Sequence, residues 1–553
     1  MKYLIVGAVA GGASTAARLR RLDEHAEIII FEKGEYISYA NCGLPYYIGD
    51  IIKDRNKLFV QTAAAFNKRF NVDVRIKTEI TGIDPLKKTV TAVRQMTGEV
   101  YEESYDKLVL SPGAEPVRPP LPGITSEGIF TLRNVNDTDN VKNYIQHGMV
   151  KKVIVIGAGF IGLEMAENFH NLGLEVTIIE MGNQILAPVD FPVAAIVQQH
   201  IRSKGLNLLL NTTVMGFKNN MHQIDVELNS GKVLTADMVL LSIGVRADIK
   251  LAIQAGIKIG IASGILVNEY LQTSEPDIYA VGDAIEFMNP VTGQSMITYL
   301  AGPANKQGRI CANNIVLSNI QKYQGSINTA IVKVFDMTIG TAGTASKYLI
   351  AAKIKHIVST TQNGSHAAYY PDARQMTIQI AFSPDNGRLL SAQIAGFDGV
   401  DKRLDILSSF IKQKRTIHDL IEFEHAYAPP YSSAKDPVNM AGFVAENIFY
   451  KRLVIFYWNE TENLQSDDFL LDVRREDEYK AGKIGQAINI PIDNLRSRLE
   501  EIPKEKNIYI YCEAGLRGYL AQRILKQNGF MNVFNLSGGY NLWKTCIAES
   551  ISN

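Results

Sequence analysis

Glycines and an acid recur in one arrangement at two places in this 553-residue chain. Gly7-Ala-Val-Ala-Gly11-Gly12 is followed by Glu32, 25 residues after its first glycine, and Gly157-Ala-Gly159-Phe-Ile-Gly162 by Glu180, 23 residues after its first. Glycines at such a turn let backbone N–H groups approach a pyrophosphate, whose charge the following helix N-terminus favours. The acid can accept bonds from ribose hydroxyls. The second copy is a complete G-x-G-x-x-G, whereas the first lacks the middle glycine. Two copies, each with its acid, imply two dinucleotide sites.

Thiols are the other candidates for chemistry. Cys42 follows the first acid by ten residues and has no second cysteine near it. Cys512-Glu-Ala-Gly515-Leu-Arg517 places a cysteine after a β-rich run and before an expected helix. Backbone N–H groups of that loop, the helix terminus and Arg517 would lower the thiol pKa and hold an anionic persulfide. Cys311 and Cys546 fall in expected helices without a motif and read as structural.

The elements that must position these groups are legible around them. An apolar strand at Tyr3–Val6, the first glycine turn, a helix to about Leu22 and a strand at Glu27–Phe31 form one unit. Lys152–Ile156, the second turn, a helix to about Leu172 and Glu175–Ile179 repeat it about 150 residues later. A third segment, about Ser326–Phe449, mixes strands (Ala330–Phe335, Met376–Phe382) with a helix near Arg403–Ile411. Beyond the polar stretch around Asn459–Asp468, a compact α/β pattern runs to the C-terminus.

Composition bounds the rest. The length corresponds to roughly three to four domains of ~150 residues. With 46% hydrophobic and 21% charged residues, general disorder is excluded. Lys+Arg 57 balance Asp+Glu 57, which argues against a nucleic-acid partner. Four cysteines cannot make a disulfide framework, so a cytoplasmic location is expected. The longest uncharged run, Phe287 to Asn305, is rich in polar residues, so no membrane span is expected. The N-terminal apolar run could pass for a signal peptide, but the glycine turn and second strand fit a nucleotide-binding unit better. No metal site is expected.

Taken together, residues 1–450 resemble the two-dinucleotide flavoprotein disulfide reductases. The resemblance places FAD at the first site and NADH or NADPH at the second. Leu110-Ser-Pro-Gly113-Ala is similar to the family's crossover segment, and Ile278-Tyr-Ala-Val-Gly282-Asp283 to the stretch whose acid contacts the flavin ribityl region. Tyr36-Ile-Ser38-Tyr-Ala-Asn41-Cys42 matches the single-cysteine branch, in which the second sulfur comes from the substrate. Oxidases and peroxidases of that branch carry a histidine in the first turn where Ala10 stands here.

The chain instead looks like a coenzyme A-disulfide or coenzyme A-persulfide reductase. His366-Ala-Ala-Tyr369-Tyr370-Pro, Val400-Asp-Lys-Arg403 and Tyr427-Ala-Pro-Pro-Tyr431-Ser-Ser-Ala-Lys435 carry that likeness. It assigns Ser14, Arg18, Arg21, Ser38, Asn41, Asn305 and Lys435 to coenzyme A, although any one basic residue among them could be a solvated helix charge. It also implies a homodimer in which Tyr369 and Tyr427 act at the partner subunit's Cys42, the alternative being ordinary interface or core aromatics.

The C-terminal segment resembles a rhodanese domain: Leu471-Asp-Val-Arg474, Glu478-Tyr479 through Pro491, the Cys512–Arg517 loop, and Leu536-Ser-Gly538-Gly539 to Trp543. Lys483 stands where that family commonly has a histidine. The expected architecture is therefore α/β. An FAD-binding domain comprises 1–149 and 247–325, an NAD(P)H-binding domain 150–246, an α+β dimerisation domain 326–449 and a rhodanese domain 460–553. The implied activity is reduction of coenzyme A persulfide, polysulfide or disulfide through a Cys42–coenzyme A mixed disulfide. A peroxidase or oxidase on the same scaffold, and a persulfide-binding redox sensor, remain alternatives.

Overall fold

The computed structural model describes residues 1–551, which divide into two compact units. One comprises 1–181 and 212–328, the other 182–211 and 329–553.

In the first unit, Lys2–Val6 lies central in a parallel sheet, between Glu27–Phe31 and Lys107–Leu110, with Asp73–Arg75 and Ile278–Ala280 at the edges. Its strands are near-continuous apolar runs because both faces are covered; Leu4, Ile5, Ile30, Leu108 and Val109 are fully buried or nearly so. Helix Ala10–Leu22 leaves the first strand and packs along helix Ala301–Leu317. The second glycine turn repeats the plan: Lys152–Ile156 pairs with Glu175–Ile179 on one side and Met238–Leu241 on the other, followed by Ile129–Phe130. Registers agree between the copies, with Val6 opposite Phe31 and Ile156 opposite Ile179. This unit also holds two three-stranded antiparallel sheets, one beginning at Thr78–Asp84 and one at Val214–Asn220, a mixed sheet of Ile265–Leu266, Ile285–Met288 and Ser295–Met296, and the antiparallel pair Ala114–Pro116 with Val245–Ala247.

The second unit holds a five-stranded antiparallel sheet in the order Ala330–Val334, Met337–Gly343, Leu389–Gly396, Gln375–Phe382, Ile357–Gly364. Helices Val400–Lys412 and Pro437–Phe449 pack on it. The same unit contains a parallel sheet ordered Ile455–Phe456, Val533–Leu536, Ile508–Tyr511, Phe469–Asp472, Ile488–Asn489.

Segment 182–211 falls inside the range read from sequence as nucleotide-binding, yet it belongs to the second unit. Its helix Phe191–Ser203 carries the reason. Ala195 packs with Leu542 and Cys546 of the C-terminal helix, Phe191 stacks on Trp458 at 5.2 Å, and Gln198 donates to Glu549 at 2.9 Å. Just before that helix, the buried Asp190 carboxylate accepts bonds from Gln379 and Gln393 at 2.8 and 2.7 Å. Cys546 and Cys311 are buried, which pushes both thiols up.

Candidate active site

The two glycine turns are built alike to the level of single bonds. Ala8 N–H donates to Glu32 Oε2 at 3.0 Å and Ala158 N–H to Glu180 Oε2 at 2.9 Å. Gly7 and Gly157 have φ of +95° and +100°, a region that favours glycine. A Cβ on either would strike the carbonyl of Ser111 or Ser242, and one on Gly12 or Gly162 would strike the carbonyl of the turn's own first glycine. Those four glycines serve the protein's packing. Gly159 differs, because a Cβ there meets nothing within 4 Å. Space in front of that backbone is what a bound pyrophosphate requires. In the first copy Val9 occupies the matching place, while a Cβ on Gly11 would press on Ser111 and Val281.

A cleft of about 400 Å³ opens beside the first turn, lined by Gly7, Gly11, Glu32, Gly113, Arg133 and Asp283 among others. Glu32 also accepts from Gly34 N–H at 2.7 Å, so its carboxylate organises the cleft's far wall. Burial pushes the Asp283 carboxyl up to about 6, against the pull of Arg133. A glycine turn with its acid and the half-buried Asp283 carboxyl over one cleft fit a dinucleotide.

Cys42 enters through a tether to that same turn. Ser38, held at φ +44°, donates its N–H to the Ala8 carbonyl at 2.9 Å, and its own carbonyl accepts from Val60 N–H at 2.9 Å. A single 3-10 turn, Asn41–Gly43, then presents the thiol at the surface before helix Leu44–Ile48 begins with a proline in its first turn. The recess around the sulfur partly desolvates it and, with the charges of Glu164 and Asp283, pushes the thiol pKa up. Burial also raises Glu164, to about 7, while Tyr46 donates to it at 3.4 Å.

Of the residues expected at coenzyme A, Ser14, Arg18 and Arg21 lie on helix Ala10–Leu22 and Asn305 on helix Ala301–Leu317, which pack together. Gly308 has its Cα so close to Gly11, Ser14 and Thr15 that a side chain would not fit, and this closeness lets Ser14 Oγ donate to Asn305 at 2.5 Å. Arg18 donates to Asn313 at 2.8 Å and Arg21 to the Ala17 carbonyl at 2.9 Å. The Arg18 pKa is lowered by slight desolvation and by the neighbouring charges of Arg309 and Arg21. Arg309 was missed from the sequence; its place four residues after Asn305, on one helix face, was the available signal. Lys435 lies exposed in the second unit.

Tyr369 and Tyr427 also lie in the second unit, with their hydroxyls 2.8 Å apart and the Tyr369 ring 75% exposed. What joins their loops is a buried ion pair between Arg403, to which the sequence assigned no role, and Asp436. Arg403 binds Asp436 at 2.9 Å, donates to the Ser365 carbonyl at 2.8 Å and reaches Ser432 at 3.4 Å. Burial opposes the Asp436 charge, but Arg403, Ser432 and the Val438 N–H hold its pKa low. Ala367 N–H donates to the Ser432 carbonyl at 3.0 Å, completing the clasp.

Cys512 ends strand Ile508–Tyr511, buried, with its sulfur accepting from Gly515 N–H at 3.1 Å. Tyr540 N–H donates to its carbonyl at 2.8 Å, anchoring the loop on the Gly538-Gly539 turn. Arg517, expected to face a persulfide, has both terminal nitrogens on Glu478 at 2.7 Å. Its guanidinium is paired there, and its charge also acts on Cys512.

The pyridine nucleotide-disulphide oxidoreductase model matches residues 1–308, that family's dimerisation domain 329–437, and the rhodanese-like domain 458–546. A coenzyme A disulfide reductase of Staphylococcus aureus (strain JH9) is 36% identical over 445 residues, 80% of this chain and all of that protein. Among solved structures, reduced Bacillus anthracis CoADR-RHD shares 47% identity at a TM-score of 0.97, covering 99% of this chain and 98% of that one. A NAD-dependent persulfide reductase from A. fulgidus shares 38% at 0.92, covering 98% and 100%. On these matches the chain belongs to the pyridine nucleotide-disulphide oxidoreductases, in the coenzyme A disulfide reductase branch that carries a C-terminal rhodanese-like domain.

Proposed function

We propose that this chain uses NAD(P)H to reduce coenzyme A persulfide or polysulfide, and coenzyme A disulfide, through Cys42. The observation that carries the reading is the single exposed thiol tethered by Ser38 to the first glycine turn, while Cys311, Cys512 and Cys546 are buried. A lone thiol beside a dinucleotide cleft needs its second sulfur from the substrate. The Cys42 thiolate attacks the coenzyme A-bound sulfur, the S–S bond breaks, sulfide leaves with the electron pair, and a Cys42–coenzyme A disulfide remains. FAD, when bound in the cleft, relays the two electrons of the nicotinamide to that disulfide. Reduction restores the Cys42 thiolate and frees coenzyme A thiol.

Gly7, Gly11, Gly12, Glu32, Gly113 and Asp283 hold FAD in this reading, and Gly157, Gly159, Gly162 and Glu180 hold the nicotinamide nucleotide. Ser14, Arg18, Arg21, Ser38, Asn41 and Asn305, with Lys435, hold coenzyme A. The enzyme is a cytoplasmic homodimer with the four-domain division given by the sequence; among the described residues no helix is long and apolar enough to cross a membrane. NADH is the preferred donor, because Glu180 at the end of its strand repels a 2′-phosphate and Met181-Gly182-Asn183 bring no cation. Its kcat/KM should exceed that of NADPH by about tenfold or more, one like-charge contact being worth at least that; equal values would contradict the assignment. Cys42→Ser tests the central step. Its turnover, followed as NADH loss and sulfide release, should vanish while FAD stays bound, and turnover at the normal rate would refute the mechanism.

A further inference from the structure

Cys42 stands in a stretch with little regular structure of its own. A 3-10 turn of three residues is followed by a helix of five, Leu44–Ile48, and a helix so far below about 12 residues does not hold itself in water. The place of the thiol must therefore be set by neighbours. Two long-range grips come from one helix, Val135–His147. Lys142 donates to the Tyr47 carbonyl at 2.6 Å and to Asp50 Oδ1 at 2.6 Å, with its ammonium 4.0 Å from the centre of the Tyr47 ring. One turn earlier, on the same face, the Asp139 carboxylate accepts from Arg55 Nε at 2.9 Å and Nη2 at 2.6 Å. Arg55 also donates to the Tyr36 hydroxyl at 3.0 Å and lies over the Tyr36 and Phe59 rings. The chain is thus held on both sides of Cys42, at Tyr36 before it and at Tyr47, Asp50 and Arg55 after it.

The two helices that flank Leu44–Ile48 each begin at a proposed nucleotide site. Val135–His147 starts at the cleft, where Arg133, Asn134 and Val135 are part of the lining. Asn134 caps that start by accepting from Asp137 N–H at 2.9 Å, and the Asp137 carboxylate accepts from Arg133 N–H at 2.9 Å. On its other side Leu44–Ile48 packs on Phe160–Asn171, the helix of the second glycine turn. Gly49 lies so close to that helix that a Cβ would strike the Asn168 amide. The 13 residues of Val135–His147 make a rod of about 20 Å. One rigid piece therefore fixes the Cys42 segment relative to the cleft.

We propose that Lys142 and Asp139 are positioning residues for Cys42: through Tyr47, Asp50 and Arg55 they hold the thiol in register with the cleft. The proposal deepens the reading of Cys42 given above and rests on it. Sulfur exchange and reduction of the mixed disulfide both need the sulfur at bonding distance from its partner, so both depend on where the segment is held. Binding of NADH and its reaction with the flavin do not involve the thiol. Losing a grip therefore acts on one half of the reaction alone, and a misplacement of about 1 Å is enough to slow such a step about 100-fold. Lys142 is the stronger grip, since its side chain is only 12% exposed, whereas that of Asp139 is 29% exposed and more open to screening by solvent.

The experiment uses the full-length, FAD-loaded protein. Lys142→Met keeps the stem and removes the ammonium, Lys142→Arg restores a donor, and Asp139→Asn and Asp50→Asn each weaken one contact. Asparagine also accepts the left-handed backbone of Asp50, at φ +59°. With coenzyme A disulfide as substrate, Lys142→Met should lose about 100-fold in kcat and the two asparagine variants about tenfold, while KM for NADH stays at the parent value. Flavin bleaching by NADH without a sulfur substrate, followed by stopped flow, should keep the parent rate. Lys142→Arg should recover most of the lost kcat. The Cys42 peptide should also be alkylated faster in Lys142→Met, because a loosened segment lets the thiol leave the recess that desolvates it. Parent kcat in Lys142→Met or, should that variant not fold, in both asparagine variants would overturn the proposal. So would flavin bleaching that slows in step with turnover, or alkylation left unchanged beside a lowered kcat, either of which puts the defect elsewhere than at the thiol. Failure of the Cys42 reading shows separately, as parent turnover in Cys42→Ser.

Discussion

At the scale of single residues, the thiol proposed for the redox step has surroundings that work against its reactive form. Cys42 is partly desolvated and faces Glu164 and Asp283, all of which favour the neutral thiol. Glu164 itself titrates near 7, so it is neutral below that pH and charged above it. As the pH rises through 7, the growing Glu164 charge therefore opposes thiolate formation in the range where turnover needs it. Glu164→Gln removes that opposition. In a Cys512→Ser background, the pH dependence of Cys42 alkylation, read on its own peptide, should shift to lower pH. A shift to higher pH would mean that Glu164 stabilises the thiolate instead, by a proton held between Tyr46 and the sulfur.

At the scale of elements, the second strand–turn–helix unit separates glycines that the fold needs from one with open space before it. Gly162→Ala must push a methyl into the Gly157 carbonyl, so the helix has to leave its strand. Overpacking of this kind costs about 1–3 kcal/mol or more. Gly159→Ala meets no protein atom, and at a helix N-cap the exchange of glycine for alanine costs no more than about 1 kcal/mol. The pair makes a discriminating prediction. Thermal unfolding should drop clearly for Gly162→Ala, while Gly159→Ala should melt near the parent and show a raised KM for NADH. A normal KM in the second variant would move the pyrophosphate away from that turn.

These turns were legible in the sequence because part of their constraint is local: a positive φ at the first glycine and the approach of the last glycine to that glycine's carbonyl. Strands at Glu27–Phe31 and Glu175–Ile179 were legible for the same reason, as short apolar runs closing on an acid. The partners of buried charges were not. Arg517 stood out in its loop, but Glu478 lies 39 residues earlier and reaches it only through tertiary packing. Arg403 and Asp436 are 33 residues apart and join loops that carry no local pattern for an ion pair. Helix Phe191–Ser203 has an ordinary amphipathic sequence, and nothing in it announces Leu542, Cys546 and Glu549 as its neighbours.

At the scale of the whole molecule, the second unit ties the rhodanese-like segment to the sheet that presents the tyrosines. Strand Ile357–Gly364 runs beside it: Val358 exchanges bonds with Tyr457 at 3.3 and 3.2 Å, and Gln362 donates to the Gly538 carbonyl at 3.1 Å. The same strand leads into the His366–Tyr370 loop, which the Arg403–Asp436 clasp holds against the loop of Tyr427. Two exposed hydroxyls in mutual contact, on loops fixed by a buried ion pair, are held in place and open to an arriving group. A departing sulfur anion needs a proton or a hydrogen bond, and a tyrosine hydroxyl supplies either near neutral pH. In a homodimer these tyrosines would serve the partner subunit's Cys42, so that each site is completed by the other chain. Cys42→Ser and Tyr427→Phe homodimers should each be severely impaired, the first without a nucleophile and the second without its donor. Mixed under conditions that exchange subunits, they should regain activity, because one site of each mixed dimer then has its thiol from one chain and its tyrosine from the other. With random exchange of equal amounts, about half the dimers are mixed and each has one intact site of two, so recovery should approach about a quarter of the parent rate, the count following from the shared two-fold interface. No recovery, with exchange demonstrated and Tyr427→Phe shown to be severe, would place the tyrosine at its own chain's thiol.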